Sequence, residues 1–361
     1  MNAGLVKLCK SILEVCALTK DETFVLATPN KYDAEYTSAM INAAAEIGAV
    51  GAHLVVIPKL QGVEYVKGIT PWHWDIYASA DLLISCRVGA GPRTETPQAT
   101  TAYNAKIGNH DFKTDHDFLN RIGSKTRWID LNTPPHIQRQ YFPTPERAEL
   151  TIEGAKIMHK AKELRYVSKN GSDFTLKKEG RPGHAQIGYA ATPGRWDNFG
   201  YGCVATGTEQ GEGTIIIEPG DVIPPLKPDP VVTDPIKLTW EGGYVTKIEG
   251  GVSAKVFRRL MATYNDKEAY GMSHIGWGTH EKAAWGEGTV DDVAAYHHSA
   301  IGTMLFALGQ NYGHGLGGPD LNYSGLGDTQ RIAPNHTHFT LHGGDFYCDD
   351  EKIVDDGKLL M

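Results

Sequence analysis

The apolar residues of this chain change their spacing near its middle, and that change constrains the fold more than any other feature. In the first part, aliphatic runs alternate with helical stretches. "TFVLATP", "GAHLVVIPK", "DLLISCRV" and "TRWIDLN" read as strands, whereas "LVKLCKSILEVCAL" and "DAEYTSAMINAAAEIGA", with Asp33 near its start, read as helices. Strand–helix–strand alternation with continuous aliphatic strands predicts an α/β layer built on a mostly parallel sheet. "PTPERAELTIEGAKIMHKAKELR" (143–165) reads as a helix that carries the chain out of that layer. From residue 166 onward the texture is different. "RYVSKNGSDFTLKKEG", "TIIIEPGDVI", "IKLTWEGGYVTKIEGG" and "HFTLHGGDFYCDDEKIVDDGKLL" are short strands joined by glycine turns. They predict antiparallel hairpins. "VSAKVFRRLMATYND" and "VDDVAAYHHSAIGTMLFAL" read as helices, and the proline-rich stretch 218–235 as a rigid loop. The expected architecture is therefore α/β plus α+β. An N-terminal α/β domain spans 1–165, and a C-terminal domain with a curled antiparallel sheet and helices spans 166–361.

Charge and cysteine usage narrow the function classes. The net charge is −8 with no basic run, so neither nucleic acid nor an anionic membrane surface is an expected partner. The first twenty residues lack the apolar core and cleavage site of a signal peptide, and no apolar run reaches the ~18 residues of a membrane span. The five cysteines are scattered without a CxxC pair, which argues against a disulfide framework or a cysteine zinc site and fits a reducing cytoplasm.

The histidines point to chemistry. Eight of the fifteen lie beyond residue 273. In "APNHTHFTLHGG" (333–344), His336 and His338 are two apart beside the apolar Phe339 and Leu341. On a strand they would project from one face, which suits either a metal clamp or a wet strand face. "SHIGWGTHEKAAW" (273–285) offers His274 as a third ligand and His280 beyond it. The glycines around His274 imply close backbone approach, and Trp277 is expected to wall the pocket. His297 and His298 are adjacent in a helical stretch, so at most one of them faces a given site. His342 falls outside this set unless the strand bends.

"PGRWDNFGYGCVATG" (193–207) places Arg195, Asp197, Asn198, Tyr201 and Cys203 among glycines. An arginine beside an aspartate either orients an anionic substrate through paired hydrogen bonds or simply holds the loop. Arg195, Asp197, Asn198 and Trp277 are the substrate-binding candidates. "GHGLGG" (313–318) formally fits GxGxxG, but it lacks the following helix and the acidic partner that give the pattern meaning, and reads as a glycine loop.

Taken in order, "PGRWDNFGYG", "IIIEPGDVI", "SHIGWGTH" and "NHTHFTL" resemble the 2,5-dihydroxypyridine 5,6-dioxygenase family, mononuclear Fe(II) enzymes related in fold to the aminopeptidase T type metallopeptidases. The resemblance implies an aminopeptidase T-like C-terminal domain. It also implies one metal, held at the "HIGWG" histidine and at the two ends of an "HxD" motif. Those positions are His274, His336 and His338, so this chain carries a third histidine where the family carries an aspartate. Asn198 and Tyr201 stand where the family has pocket histidines. The two-metal peptidases fit less well. Their glutamate positions fall here on His274 and Cys203, and one of their histidines on Leu305.

The implied activity is Fe(II)-dependent, extradiol-type ring opening of a hydroxylated aromatic or N-heterocyclic compound by O₂, in aromatic catabolism. Arg195 or Tyr201 would steady the substrate, and His280 or one of His297 and His298 would move a proton. The catalytic candidates are thus His280, Tyr201 and His297. A three-histidine set also suits Zn²⁺ or Mn²⁺ in a single-metal hydrolase of an amide or aminoaromatic compound. Relatives of this fold assemble, so a homo-oligomer is expected.

Overall fold

The computed structural model describes residues 2–29, 32–56, 71–86, 105–107, 110–112, 125–131, 133–178, 180–226, 229–283, 297–311 and 331–361. Its strands, in chain order, are β1 (Thr23–Pro29), β2 (Val50–Val56), β3 (Leu82–Cys86), β4 (Ala105–Ile107), β5 (His110–Phe112), β6 (Arg127–Leu131), β7 (Glu163–Val167), β8 (Asp173–Lys177), β9 (His184–Gln186) and β10 (Trp196–Asn198). They continue with β11 (Cys203–Gly207), β12 (Glu212–Ile217), β13 (Ile236–Glu241), β14 (Tyr244–Gly250), β15 (Met272–Gly278), β16 (Met304–Asn311), β17 (Arg331–Leu341), β18 (Asp345–Cys348), β19 (Glu351–Asp355) and β20 (Lys358–Leu359).

The expected α/β layer is present. A five-stranded sheet in the order β10-β6-β3-β1-β2 is parallel throughout. Its inner strand β3 is buried along its whole length, which explains its aliphatic run without polar alternation, and β6 is as fully buried although it carries Arg127 and Asp130. Helices Ala3–Val15 and Ala34–Ile47 bury Leu8, Ile12, Ala39 and Met40 against it. Asp33 caps the second helix by accepting the Tyr36 N–H at 2.8 Å. The sheet's outer strand β10 comes from the second half of the chain and pairs with β6 from Trp196 to Asn198. Ala190 and Phe199 accordingly join the first core.

The second half forms two antiparallel sheets, one ordered β14-β13-β12-β8-β7-β18-β19-β20 and the other β17-β16-β15-β11-β9. Their facing sides share one core, which also takes in helices Pro145–Lys160 and Val252–Thr263. Phe306 links them, stacked on Phe339 at 5.1 Å and edge-on to Tyr166 at 5.7 Å. One expectation fails here. "GTMLFAL" is not helical: Met304–Asn311 is strand β16, inside the smaller sheet between β15 and β17. An aliphatic run buried on both faces has no polar period to tell strand from helix. The remainder of that stretch, 290–296, and the glycine loop 313–318 lie outside the described residues. Among the described residues no helix is long and apolar enough to cross a membrane.

The loop 218–235 is tied to β17 by a bridge between Val222 and Thr340. Beside it the buried Asp221 accepts the N–H groups of Glu218 (2.7 Å) and His342 (2.8 Å). Burial nevertheless pushes its carboxyl up to about 7. An acid whose native pKa is raised holds its proton more tightly folded than unfolded. Its contribution to stability is therefore lost as the pH rises toward the native value. Asn does not titrate, so the unfolding free energy of Asp221→Asn should gain on wild type by about 2 kcal/mol from about pH 5 to about pH 7. Urea titrations of both proteins at the two pH values measure this.

Candidate metal centre

The smaller antiparallel sheet brings three imidazoles together by register alone. His274 on β15 lies opposite Ala307 on β16, and Ala307 lies opposite His338 on β17. His336, two residues earlier on β17, lies opposite Gly309. Strands β15 and β17 are next-but-one neighbours, roughly 10 Å apart. Only a methyl group at Ala307 and a bare backbone at Gly309 stand between the rings, so the imidazoles meet over β16. Their Nε2 atoms lie 3.3 Å (His274–His336), 3.1 Å (His274–His338) and 2.8 Å (His336–His338) apart. His274 and His336 are buried and His338 is partly buried.

A β-bulge on β15 adds a fourth side chain to this face. The register shifts between Met272 and His274, so Ser273 and His274 both turn to the site while Met272 and Ile275 turn to the core. Ser273 Oγ then lies 3.2 Å from His336 Nδ1. The close backbone approach expected around His274 is present at Gly276, where a Cβ would sit 1.8 Å from the Val204 carbonyl oxygen on β11.

Three neutral imidazoles offer one N–H and one lone pair each, and three Nε2 atoms at this separation cannot all satisfy one another. A cation between them removes the conflict. Bonds of ~2.1 Å at right angles give N···N separations of ~3.0 Å, and tetrahedral bonds give ~3.4 Å, so the observed triangle lies nearest a facial site on iron, with its longest side close to the zinc spacing. Among the described residues these three histidines form the group with metal-ligand spacing, and no carboxylate shares it.

The sheet face around the triad is floored by small side chains. Gly207, Ala205, Gly276, Ala307 and Gly309 hold positions on it by register, with Cys203 and Leu305 forming a small apolar cluster alongside. His184 and Gln186 of β9 pair with Ala205 and Cys203 on the same face. His298 packs edge-on against His338 (5.2 Å) and against Tyr201 (5.0 Å). Burial, with His297 and His336 beside it, pushes the His298 imidazole down to about 3, so the ring is neutral at physiological pH.

The other residues singled out in the sequence fall in different places. Tyr201 is one ring removed from the triad, behind His298. Of the adjacent pair, the ring packed on His338 is that of His298, while His297 lends its carbonyl to Thr303 Oγ1. His280 lies six residues past His274, about 20 Å of extended strand. Its Nδ1 accepts the N–H groups of Lys282 and Ala283, and its ring meets Tyr141 edge-on at 5.0 Å. Burial and the Arg147 guanidinium push His280 down to about 4. It locks a turn away from the triad. Trp277 is an odd number of residues from His274, so the pleat sends it to the core, where it packs on Phe346 instead of walling the site. Arg195 and Asp197 are both 0% exposed and bonded to each other at 3.0 Å. Both are closed off from solvent, which favours the reading in which the pair holds the loop. Asn198 gives its N–H to the same carboxylate at 2.8 Å. His342 is exposed.

One residue at the site, Ser273, escaped the sequence reading, because it depends on a bulge that no residue pattern announces. His298 was named there as one of two equal neighbours, and the structure places it, and not His297, against His338.

A family model described as NicX, 2,5-dihydroxypyridine 5,6-dioxygenase, matches residues 119–361. The 2,5-dihydroxypyridine 5,6-dioxygenase of Pseudomonas putida KT2440 is 32% identical over 245 residues, which is 65% of this chain and 65% of that protein. The solved structure of the 2,5-dihydroxypyridine dioxygenase from the same organism superposes with a TM-score of 0.81 at 24% identity, over 100% of this chain and 98% of that one. Wild-type AmpT from Thermus thermophilus shares the fold with a TM-score of 0.64 at 16% identity, over 99% of both chains. With the family match spanning the metal-ligand triangle and both sheets around it, the chain belongs to the 2,5-dihydroxypyridine 5,6-dioxygenase family.

Proposed function

We propose that this protein is an Fe(II)-dependent dioxygenase that opens the ring of a hydroxylated pyridine or a closely related hydroxylated aromatic compound. The observation that carries the proposal is the convergence of three Nε2 atoms within 3.3 Å, in a member of this family. His274, His336 and His338 would hold the metal. When bound, iron(II) supplies open positions and the one-electron chemistry that O₂ requires.

This chain's own residues supply the rest. Three neutral ligands cancel none of the metal's charge, so the site favours an anionic, deprotonated hydroxyl on the substrate. Glycine and alanine at the register positions beside the triad keep bulky side chains off that part of the face. Buried His298 and the buried cluster of Cys203, Ala205 and Leu305 keep bulk water from that side of the triad, which strengthens charge interactions there.

The triangle's longest side, 3.3 Å, also approaches the tetrahedral spacing of a zinc hydrolase, and oxygen dependence separates the two readings. Protein purified without oxygen should contain one iron per chain and consume one O₂ per ring opened when offered 2,5-dihydroxypyridine and related hydroxypyridines and aminophenols. Absence of stoichiometric metal, or turnover that persists without O₂, would overturn the proposal.

A further inference from the structure

An imidazole presents a lone pair at Nε2 only when its proton sits on Nδ1, and something must hold that proton there. For His336 the atom in place is Ser273 Oγ, 3.2 Å from Nδ1. Ser273 is 0% exposed, so its hydroxyl bonds within the protein and not to bulk water. Its hydroxyl is able to accept the Nδ1 proton.

Ser273 faces the site only because of the bulge. Counting back from Ile275 and Trp277, which face the core, strict alternation would turn Ser273 into the core as well. The extra residue between Met272 and His274 lets two consecutive side chains face the triad. The bulge is pinned by Arg331, the first residue of β17, which is the strand that carries His336. Arg331 Nε donates to the Met272 carbonyl at 3.3 Å, its guanidinium pairs with Glu268, and it lies over the Tyr244 ring at 4.3 Å. A Cβ at residue 271 would sit 2.1 Å from the Arg331 guanidinium carbon, so Gly271 is what lets the arginine pass.

We propose that Ser273, delivered by the bulge at Met272–His274, is a positioning residue that holds His336 in its Nδ1–H form and so aims Nε2 at the centre of the triad. This rests on the metal reading of that triad. The test compares wild type, Ser273→Ala and Ser273→Thr for affinity toward Fe(II) and Zn²⁺ in competition titrations. The histidine ¹⁵N spectra of the zinc-loaded and metal-free proteins are recorded alongside, with His336→Asn assigning the His336 signals. Ser273→Ala should bind both metals about 10- to 100-fold more weakly and shift the His336 nitrogen signals, and Ser273→Thr should restore most of the affinity. Wild-type His336 protonated at Nε2, or a folded Ser273→Ala with unchanged affinity and spectrum, would overturn the assignment. The metal-free wild-type spectrum tests the assignment even where Ser273→Ala does not fold, because an Nε2–H form of His336 there would overturn it. Failure of the wild type to bind any metal would instead sink the metal reading, and the metal-free spectrum would still report on Ser273.

Discussion

His336→Ala should leave the protein folded, without stoichiometric metal, and without measurable turnover. His336 stands at one corner of the triangle. Its Nε2 is 2.8 Å from that of His338 and 3.3 Å from that of His274, and its Nδ1 is braced by Ser273. Loss of an outer partner of a metal ligand typically costs 10–100-fold in affinity, so loss of the ligand itself should cost more than about 100-fold. Two imidazoles on separate strands would remain, with one corner of the triangle open to water. Stability offers a second, independent readout. A ligand that binds only the native state stabilises it by about 2.7 kcal/mol at a concentration of about a hundred times Kd. Added Fe(II) or Zn²⁺ should therefore raise the melting temperature of the wild type and leave that of His336→Ala where it is. His280→Ala serves as the contrast. That histidine is spent on the Lys282 and Ala283 N–H groups, so its loss should lower stability while one metal per chain is retained. A His336→Ala protein that still holds one metal per chain would remove His336 from the ligand set.

Much of this site was legible because strand geometry is simple. Two histidines two residues apart on a strand must share a face, and His336 and His338 do. Glycines flanking a histidine in a strand signal close backbone approach, and Gly276 shows it against Val204. The parallel layer was legible for a similar reason, since aliphatic runs such as "DLLISCRV" belong in strands covered on both sides. The misreadings have equally physical causes. Trp277 stands three residues from His274, and an odd spacing on a strand means opposite faces. The pleat rule that joined His336 to His338 separates these two. The run "GTMLFAL" is buried on both faces, which erases the period that distinguishes strand from helix. Strand β10 is three residues long, and its place at the edge of the first sheet depends on pairing with a strand about seventy residues earlier, which no local pattern encodes. Ser273 owes its role to an inserted residue whose only trace is a register shift.

Asp197→Ala is expected to be the most destabilising single change, for a reason unrelated to substrate. The Asp197 carboxylate is fully buried and bonded to Arg195 Nη2 at 3.0 Å, to the Ile187 N–H at 2.9 Å and to the Asn198 N–H at 2.8 Å. Arg195 Nη2 also donates to the Ala185 carbonyl on β9 at 2.7 Å. Asp197 itself sits on β10, at the edge of the parallel sheet, whereas β9 lies at the edge of the antiparallel sheet that carries the triad. The pair is thus a rivet between the two layers. Burial pushes the carboxyl up to about 6, with Arg195 and the two N–H donors limiting the rise, so it is ionised at neutral pH. Its removal takes the counter-charge from a guanidinium with 0% exposure and leaves two backbone donors without their acceptor. Breaking a buried pair by deleting one partner costs about 3–5 kcal/mol, against a typical total stability of about 5–15 kcal/mol. The denaturation midpoint of Asp197→Ala should fall accordingly, while the folded fraction binds metal with wild-type affinity. If Arg195 and Asp197 instead oriented an anionic substrate, the same variant would keep its midpoint and show a raised KM. The direction in which the two measurements move therefore decides between the two roles that an Arg–Asp pair on a glycine-rich loop can play.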